Sequence, residues 1–449
     1  MRFTITALFS LLLLTGVSLG DSPEQQFFPY KHENFTLPNG FKAIFIPIKG
    51  SGLVSYYTVV RTGSRDEWEP GKSGFAHFFE HMMFRGTKNI PADEYDHTVT
   101  EMGADNNAYT TDDYTCYTMT LSSESIETAM RLESDRFQNL SYEIGPFQTE
   151  SGAVYGEYRK GRVSPWSVAN EVLNNLAFDT HTYKHTTIGF EADIKDMPNE
   201  YEYSKSFFQR YYRPENCILL LVGDFNPASV KPLIEKYYGD WKPGYVAPKI
   251  APEPEQKGER SKEIDYEGRT LPLIWMAYKG DRFAPGDKIF AAGELLWELA
   301  FGENSELYKK LVIREQKVQF IGGGYGFNRD PKLNSVYTMV KSADDLDYVK
   351  AQIDATAEKF KTEPVAAADL EKLKKRTRYG FLMDLDTPQK VASNLARYIA
   401  LAGDVSVIDQ LDATLQSVTP ADVQAAAKRY LQKDHRTVIT LKEKKDEAE

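Results

Sequence analysis

An internal repeat constrains the fold of this chain more than any other feature of its sequence. Residues 210–212 (Arg-Tyr-Tyr) precede an apolar run at 218–221 by eight positions, and residues 429–431 (Arg-Tyr-Leu) precede a β-branched run at 437–440 by the same interval. A repeated order of helix and strand signals indicates two domains that share one architecture. The chain has 449 residues, which is enough for two hydrophobic cores.

Composition divides the chain into five segments. The N-terminus reads as a signal peptide, because Arg2 precedes an apolar run at 8–14 and small residues follow near the expected cleavage site. The alternative is an uncleaved N-terminal anchor. A cluster of four prolines indicates a linker between the two domains. The predicted segments are the signal peptide 1–20, a first domain 21–242, a linker 243–262, a second domain 263–442 and a charged tail 443–449.

No later run of about 18 apolar residues predicts a membrane span, so we predict no stable membrane insertion. Together with the signal peptide, this predicts an exported, periplasmic protein that is soluble after cleavage. The net charge of −11 argues against nucleic acid and anionic membranes as partners. Cys116 and Cys217 both fall in strand-like runs. An exported location permits a disulfide between them, but two buried thiols are favoured.

Helical patterns follow the strand-like runs in each half. Thr419 followed by Pro420 predicts a helix start, because threonine caps a helix and proline fits its first turn. Residues 105–114 are polar and turn-prone, and they lead into a strand. The predicted helices are 91–102, 124–140 and 148–160 in the first half, and 284–311, 346–362, 366–402 and 420–431 in the second.

Residues 74–84 read Gly-Phe-Ala-His-Phe-Phe-Glu-His-Met-Met-Phe. On a helix, His77 and His81 lie one turn apart on the same face, with Glu80 beside them. Two neutral imidazoles and a carboxylate that acts as general base are the chemistry of a zinc hydrolase. The order His-x-x-Glu-His is the inverse of the commoner zinc-protease motif. The alternative is a pair of buried histidines on an amphipathic core helix, but the rarity of the full pattern by chance favours zinc.

The second half lacks this pattern. When Gly302 is aligned with Gly86, Gly293, Leu296 and Trp297 take the positions of the two histidines and the glutamate. The second domain is therefore predicted to repeat the architecture without the metal chemistry.

A catalytic zinc needs a third protein ligand. Glu150 and Glu157 are seven residues apart, so two helical turns place both carboxylates on one face. From this pattern alone, a solvated acidic helix face is an equally good interpretation.

Together these motifs resemble peptidase family M16, which includes pitrilysin, insulin-degrading enzyme and mitochondrial processing peptidase. The resemblance rests on the motif at 77–81, on Glu157 lying 76 residues downstream, on Asn-Ala-Tyr-Thr at 107–110 and on Val-Gly-Asp at 222–224. It covers nearly the whole mature chain. It implies an α+β fold of two homologous domains, each a mostly antiparallel sheet backed by helices, which together form half of a clamshell.

The resemblance implies a zinc endopeptidase that hydrolyses short unfolded peptides. One zinc per chain is held by His77, His81 and Glu157. Glu80 is then the general base, and Glu150 orients or tunes the site. The segment at 105–114 would border an edge strand to which the peptide substrate adds as a further strand. The implied substrate-binding residues are Asn107, Ala108, Tyr109 and Thr110.

Two subunits of this family close around substrate, and the partner's second domain supplies an arginine and a tyrosine seven residues apart. Matching residues 305–320 to that motif places Ile313 and Phe320 at these positions, while Arg314 lies one position away. We therefore predict a heterodimer with an M16-like subunit that carries the Arg/Tyr pair.

The motif and a second pair of histidines each allow another interpretation. A non-catalytic peptide-binding or chaperone-like clamshell subunit is the alternative function, but it has no need of the intact motif. His181 and His185 resemble a second metal pair, but no acidic residue lies at ligand spacing from them. We predict that these two histidines belong to a structural turn.

Overall fold

A computed structural model describes residues 26–444 of the chain. The predicted signal peptide (1–20) and most of the predicted tail (443–449) lie outside the described residues. The described part contains two β-sheets with helices packed against them, so the predicted α+β fold is confirmed.

Between residues 26 and 444, eleven strands form the two sheets. The first sheet has the order β1-β2-β6-β3-β5-β4 and the second has the order β7-β11-β8-β10-β9. The strands of the first sheet are β1 (Glu33–Thr36), β2 (Lys42–Pro47), β3 (Leu53–Val60), β4 (Asp105–Thr110), β5 (Thr115–Ser122) and β6 (Cys217–Gly223). Those of the second are β7 (Arg260–Tyr266), β8 (Leu273–Lys279), β9 (Val318–Gly324), β10 (Leu333–Val340) and β11 (Arg436–Glu443).

The two sheets share one topology. In the first, β2 runs parallel to β6, and the series β6, β3, β5, β4 pairs antiparallel. In the second, β7 runs parallel to β11, and the series β11, β8, β10, β9 pairs antiparallel. Each strand of the second sheet therefore has a counterpart in the first, and the sequence repeat is also a structural repeat.

The helices divide between the two halves of the chain. Those before the linker are α1 (Phe75–Met82), α2 (Ala92–Glu101), α3 (Ile126–Asn139), α4 (Ile144–Gly161), α5 (Pro165–Ala177), α6 (Glu191–Asp196), α7 (Tyr201–Tyr211) and α8 (Pro227–Tyr238). Those after it are α9 (Lys288–Phe301), α10 (Glu306–Tyr308), α11 (Leu346–Thr362), α12 (Ala367–Met383), α13 (Pro388–Ala402), α14 (Val407–Ser417) and α15 (Pro420–Tyr430). A π-helical turn, Lys309–Arg314, continues α10.

Two predicted helices of the second half are wrong in extent. The predicted helix 366–402 is two helices, because Pro388 has no N–H to continue a helix and Thr387 caps a new one through Lys390 N–H. The predicted helix 284–311 starts later, where the Asp287 carboxylate accepts two backbone N–H groups, and it ends before Gly302. Apolar periodicity alone predicted helices that are too long, because it does not register the capping groups and prolines at which helices start and end.

Each sheet is covered on one face by a helix from the other half of the chain. Helix α13 packs against β3 and β6 of the first sheet, and α5 packs against β7, β8 and β11 of the second. The two helices start alike, with proline in the first turn after Ser164 or Thr387. Leu395 of α13 is buried in one core cluster with Ile218 of β6, and Leu173 of α5 is buried in another with Ile439 of β11. The halves thus exchange equivalent helices.

The borders between the segments differ slightly from the sequence pattern. Residues 241–259 form neither helix nor strand, and β7 begins at Arg260, inside the segment predicted as a linker. Strand β11 ends at Glu443, the first residue of the predicted tail. Cys116 and Cys217 are buried and free, as predicted.

No single helix within residues 26–444 is both long and apolar enough to cross a membrane. The pair α13 and α14, bent by 90°, passes the same test on length and composition alone.

The exchanged helices predict that the two halves unfold together. Leu173→Ala and Leu395→Ala each remove a buried side chain from a contact between the halves. We expect each to lower the free energy of unfolding by about 2–5 kcal/mol and to leave one cooperative transition. Chemical denaturation followed by circular dichroism and tryptophan fluorescence measures both effects. The matched control Asn175→Ala, at an exposed position of α5, should change stability by less than about 0.5 kcal/mol. Two separate transitions in the wild-type chain would contradict the exchange.

Candidate active site

Helix α1 carries the His-x-x-Glu-His motif, as predicted. Its apolar side chains face the core, where the Phe79 ring stacks on Phe207 of α7 with centroids 5.4 Å apart. His77, Glu80 and His81 lie on the opposite face and are partly exposed. The alternation of buried phenylalanines with these polar residues therefore fixes which way the motif faces.

The N-terminus of α1 is capped by a side chain that lies seven residues before the N-cap position, Glu67. Gly74 has φ +96° and no side chain to act as a cap, and the buried Glu67 carboxylate accepts N–H from Gly74 at 2.7 Å and from Ala76 at 2.6 Å. A Cβ on Gly74 would also lie 2.7 Å from the Ile188 carbonyl oxygen. Burial raises the pKa of Glu67 well above its ordinary value. Sequence analysis missed Glu67; the available signal was an acidic residue in the turn before a helix without a capping side chain.

Three side chains converge beside α1. His77 Nε2 lies 3.6 Å from Glu157 Oε2, and His81 Nε2 lies 3.7 Å from Glu157 Oε1. Within residues 26–444 this is the only group of three histidine, cysteine, aspartate or glutamate side chains whose ligand atoms all lie within 4.8 Å of one another. The structure therefore brings together the three predicted ligands.

These residues fit zinc. Nitrogen and oxygen ligands at about 2.0–2.1 Å from a tetrahedral zinc lie roughly 3.4 Å apart, close to the observed separations. Burial and the nearby His81 lower the pKa of His77 to about 4, so its imidazole is neutral and able to bind metal. Glu157 is half-exposed, which leaves one side of the group open to solvent.

Glu150 sits behind this group and is 3% exposed. Its carboxylate pairs with His81 Nδ1 at 2.9 Å and accepts Arg85 Nε–H at 2.5 Å. Burial would raise the pKa of Glu150, but these hydrogen bonds outweigh it and hold the pKa below its ordinary value. The His81 contact leaves Nε2 of that ring to face Glu157, which is how a supporting carboxylate orients a metal-binding histidine.

Glu80 is held by the end of strand β4. The Thr110 hydroxyl donates to Glu80 Oε2 at 2.6 Å. Burial raises the pKa of Glu80, and the Thr110 hydrogen bond opposes that rise. A polar cavity of about 290 Å³ opens beside this carboxylate. It is lined by Glu80, His81, Phe84, Arg85, Asp96, Asn107, Ala108 and Glu150.

The segment that carries the four predicted substrate-binding residues differs from expectation. Residues 105–114 were predicted to be a turn-prone segment beside an edge strand, but Asp105–Thr110 is itself the edge strand of the first sheet. Its polar composition resembles a turn because one side of an edge strand faces water. Within the described residues, β4 pairs only with β5, so its other edge is open next to Glu80.

The residues at the expected arginine and tyrosine positions and the second histidine pair lie outside this group. Ile313 is exposed on the π-helical turn, and Phe320 packs against Trp166 with ring centroids 5.7 Å apart. His181 and His185 flank a short 3-10 turn, Thr182–Lys184, which is the structural turn that we predicted.

Comparison with known proteins places both halves in one family. A family model described as insulinase (peptidase family M16) matches residues 52–190, and a model described as the peptidase M16 inactive domain matches residues 200–377. Zinc protease PqqE of Helicobacter pylori is 28% identical over 452 residues, which cover 98% of this chain and 99% of that protein. The uncharacterized zinc protease YmxG of Bacillus subtilis is 21% identical, covering 90% of this chain and 96% of that protein.

Solved structures agree with this assignment. The crystal structure of a protease from Helicobacter pylori superposes with a TM-score of 0.86 at 28% identity, covering 92% of this chain and 100% of the other. The periplasmic protease PqqL from Escherichia coli has a TM-score of 0.76 at 20% identity, and the match covers 92% of this chain and 48% of that chain. The second comparison shows the fold alone. With both halves matched by family models and the motif helix in place, this chain belongs to peptidase family M16.

Proposed function

We propose that this chain is a zinc-dependent endopeptidase that hydrolyses short unfolded peptides in an exported, periplasmic compartment. The observation that carries the proposal is that His77 and His81 of α1 converge with Glu157 of α4. Glu80 lies on the same face of α1 as the two histidines. Relatives named zinc proteases support the chemistry. The N-terminal sequence pattern and a relative described as a periplasmic protease support the compartment.

Each side chain has a distinct role in this proposal. His77, His81 and Glu157 hold the zinc, and Glu150 orients His81. A bound zinc lowers the pKa of water and polarises a carbonyl. Glu80 takes the proton from the attacking water and passes it to the leaving amine.

The open edge of β4 suits an extended substrate. Within the described residues this edge has no strand partner, so its backbone N–H and C=O groups can hydrogen-bond a peptide that adds as a further strand, and this places the peptide backbone beside Glu80. Asn107, Ala108, Tyr109 and Thr110 are then the residues of the sheet that meet the substrate. A folded domain has no free strand to offer, which favours short unfolded peptides.

A non-catalytic peptide-binding or chaperone-like subunit is the competing function. The family model of the second half, named for an inactive domain, is compatible with either function for the whole chain. The paired contacts of Glu80 with Thr110 and of Glu150 with His81 favour catalysis, because peptide binding alone has no need of them.

We further propose that the active form is a heterodimer with an M16-like subunit that carries the Arg/Tyr pair. Ile313 is an exposed apolar side chain, and Phe320 is packed against an aromatic neighbour. Neither supplies the charge and hydroxyl that the family uses to hold substrate. The chain also matches about half of PqqL, which is consistent with one half of a closed clamshell.

The first prediction from this site concerns metal content. We expect one zinc per chain, lost in His77→Ala, His81→Ala and Glu157→Ala because each change removes one of three ligands. Glu80→Gln should retain zinc and lose peptidase activity, because an amide cannot accept the proton of water. Metal analysis of the purified proteins and cleavage of a quenched peptide measure both effects. His97→Ala, at an exposed histidine of α2, is the matched control and should change neither. Equal zinc in Glu157→Ala and wild type would remove Glu157 from the ligand set.

The second prediction concerns Glu150. Because its carboxylate contacts His81 and not the open side of the group, Glu150→Gln should lower zinc affinity or activity about 10–100-fold without abolishing it. A competition assay with a chelator and steady-state kinetics measure these quantities. The control Glu202→Gln, at an exposed acid of α7, should behave as wild type. Wild-type behaviour of Glu150→Gln would show that the His81 contact has no functional role.

The third prediction concerns the partner. The isolated chain should bind zinc and cleave a quenched peptide slowly, because substrate held by one edge alone is poorly aligned with Glu80. Addition of an M16-like subunit with the Arg/Tyr pair should raise the rate at least about 100-fold, with a heterodimer seen by light scattering. Full turnover by the isolated wild-type chain at sub-micromolar concentration would exclude the heterodimer requirement and leave the zinc assignment intact.

A further inference from the structure

One loop of the second half reaches into the first half beside the site. We define the clasp loop as residues 328–332, between β9 and β10. Asn328 Nδ2 donates to Asp113 Oδ2 at 2.8 Å, and the Arg329 backbone N–H donates to the same oxygen at 3.2 Å. Lys332 forms an ion pair with Asp112. The clasp loop therefore grips the turn that joins β4 to β5.

The contacts between the clasp loop and the β4–β5 turn centre on the buried Asp113 carboxylate. Asp113 is 3% exposed, and its other oxygen accepts the Tyr183 hydroxyl at 2.6 Å. A buried carboxylate is costly unless its oxygens are hydrogen-bonded. Two of its three donors come from the clasp loop, so the conformation of the β4–β5 turn depends on the second half.

The clasp loop also holds a second segment. Asp330 accepts Arg65 Nε–H at 2.6 Å and contacts His181 Nε2 at 3.0 Å. Arg329 donates to the Arg61 carbonyl at 2.9 Å. These contacts fix residues 61–67, the first half of the segment that links β3 to α1.

The two gripped segments are tied to each other. Ser64 N–H donates to the Thr111 carbonyl at 3.2 Å, and Arg65 N–H donates to the Asp112 carbonyl at 2.7 Å. A Cβ on Gly63 would lie 2.4 Å from the Thr111 oxygen, so only glycine permits this approach. The clasp loop, the β4–β5 turn and residues 61–67 form one hydrogen-bonded unit.

Both gripped segments lead directly to Glu80. Thr110, the last residue of β4, donates to Glu80 and immediately precedes the gripped turn. Residues 61–67 end at Glu67, which caps the N-terminus of α1, the helix that carries Glu80. The clasp loop thus anchors the two structures that determine where the Glu80 carboxylate lies.

We propose that the clasp loop is a positioning element through which the second half holds Glu80 in place for catalysis. The proposal rests on the proposed peptidase function and gives the metal-free half a specific role in it. Simple adhesion between the halves does not need this arrangement, because the exchanged helices α5 and α13 and the hydrogen bond from Tyr57 to Ser393 at 2.9 Å already join them. The clasp loop contacts the two segments that run into the site.

The first test needs no activity. Asn328→Ala in the metal-free full chain should increase amide hydrogen exchange of the β4–β5 hairpin about 10-fold, because one hydrogen bond to a buried carboxylate is lost. Exchange in β3 and β6 should stay unchanged. Ser393→Ala, which removes a different contact between the halves, is the matched control and should leave hairpin exchange at the wild-type value. Unchanged hairpin exchange in Asn328→Ala would overturn the proposal.

The second test is a double-mutant cycle on peptide cleavage by the zinc-loaded chain. Asn328→Ala should lower kcat about 10-fold or more, with KM and zinc content within about two-fold of wild type. In the Thr110→Val background the same change should add almost nothing, because the route to Glu80 is already broken. Thr110→Ser, which keeps the hydroxyl, should restore the sensitivity to Asn328→Ala. An equal fold loss in both backgrounds would show a merely structural role and overturn the proposal.

Two outcomes are kept distinct by this design. An inactive wild-type chain, alone and with a partner, would overturn the proposed peptidase function, and the exchange experiment would still decide the role of the clasp loop. If Asn328→Ala does not fold, Lys332→Gln removes the ion pair to Asp112 and runs through the same exchange measurement and the same cycle.

Discussion

The exchange of α5 and α13 between the halves is the packing constraint on which the rest of the structure depends. The central strand β6 is buried along its whole length, with Ile218 facing one core cluster and Leu219 facing the other. A sheet that is apolar on both faces needs a layer of helices on each. The helices of each half cover one face of its own sheet, and its exchanged helix covers a face of the other half's sheet. Neither sheet is therefore covered on both faces unless both halves are present.

The equivalent helices α1 and α9 differ in what they present beside the sheet. In the first half, α1 turns its phenylalanines to the core and leaves His77, Glu80 and His81 accessible. In the second half, the repeated helix α9 has Gly293 where His77 aligns, and a Cβ there would lie 2.4 Å from the Tyr325 hydroxyl. An aromatic side chain therefore occupies the space beside the second helix, and a metal-binding side chain does not fit. The second half has kept the packing role of the repeat and contributes the clasp loop instead.

Much of the candidate site was predictable because it is local. A helix of fixed pitch places positions i, i+3 and i+4 together, so the motif at 77–81 predicts the orientation of two histidines and a carboxylate without any tertiary information. The capping box of Thr419 and Asp422 likewise sets a helix start within four residues of sequence. The repeat predicted two domains of one architecture, because equal patterns of strand and helix signals fold alike, and the family resemblance implied a sheet in each.

The sequence by itself therefore determined the motif helix, the repeat and the helix starts that carry a local capping signal. Spacing alone left open which of 65 acidic residues meets the two histidines; the family resemblance named Glu157, and the tertiary structure brings that residue to them. Only the tertiary structure decided that Glu67 caps α1 and that β4 is an open edge strand. It also decided that Asp113 takes its partners from the second half. The physical reason is range: backbone geometry couples residues within a few positions, whereas contacts such as Asn328 with Asp113 exist only after two distant segments are brought together by the burial of both sheets.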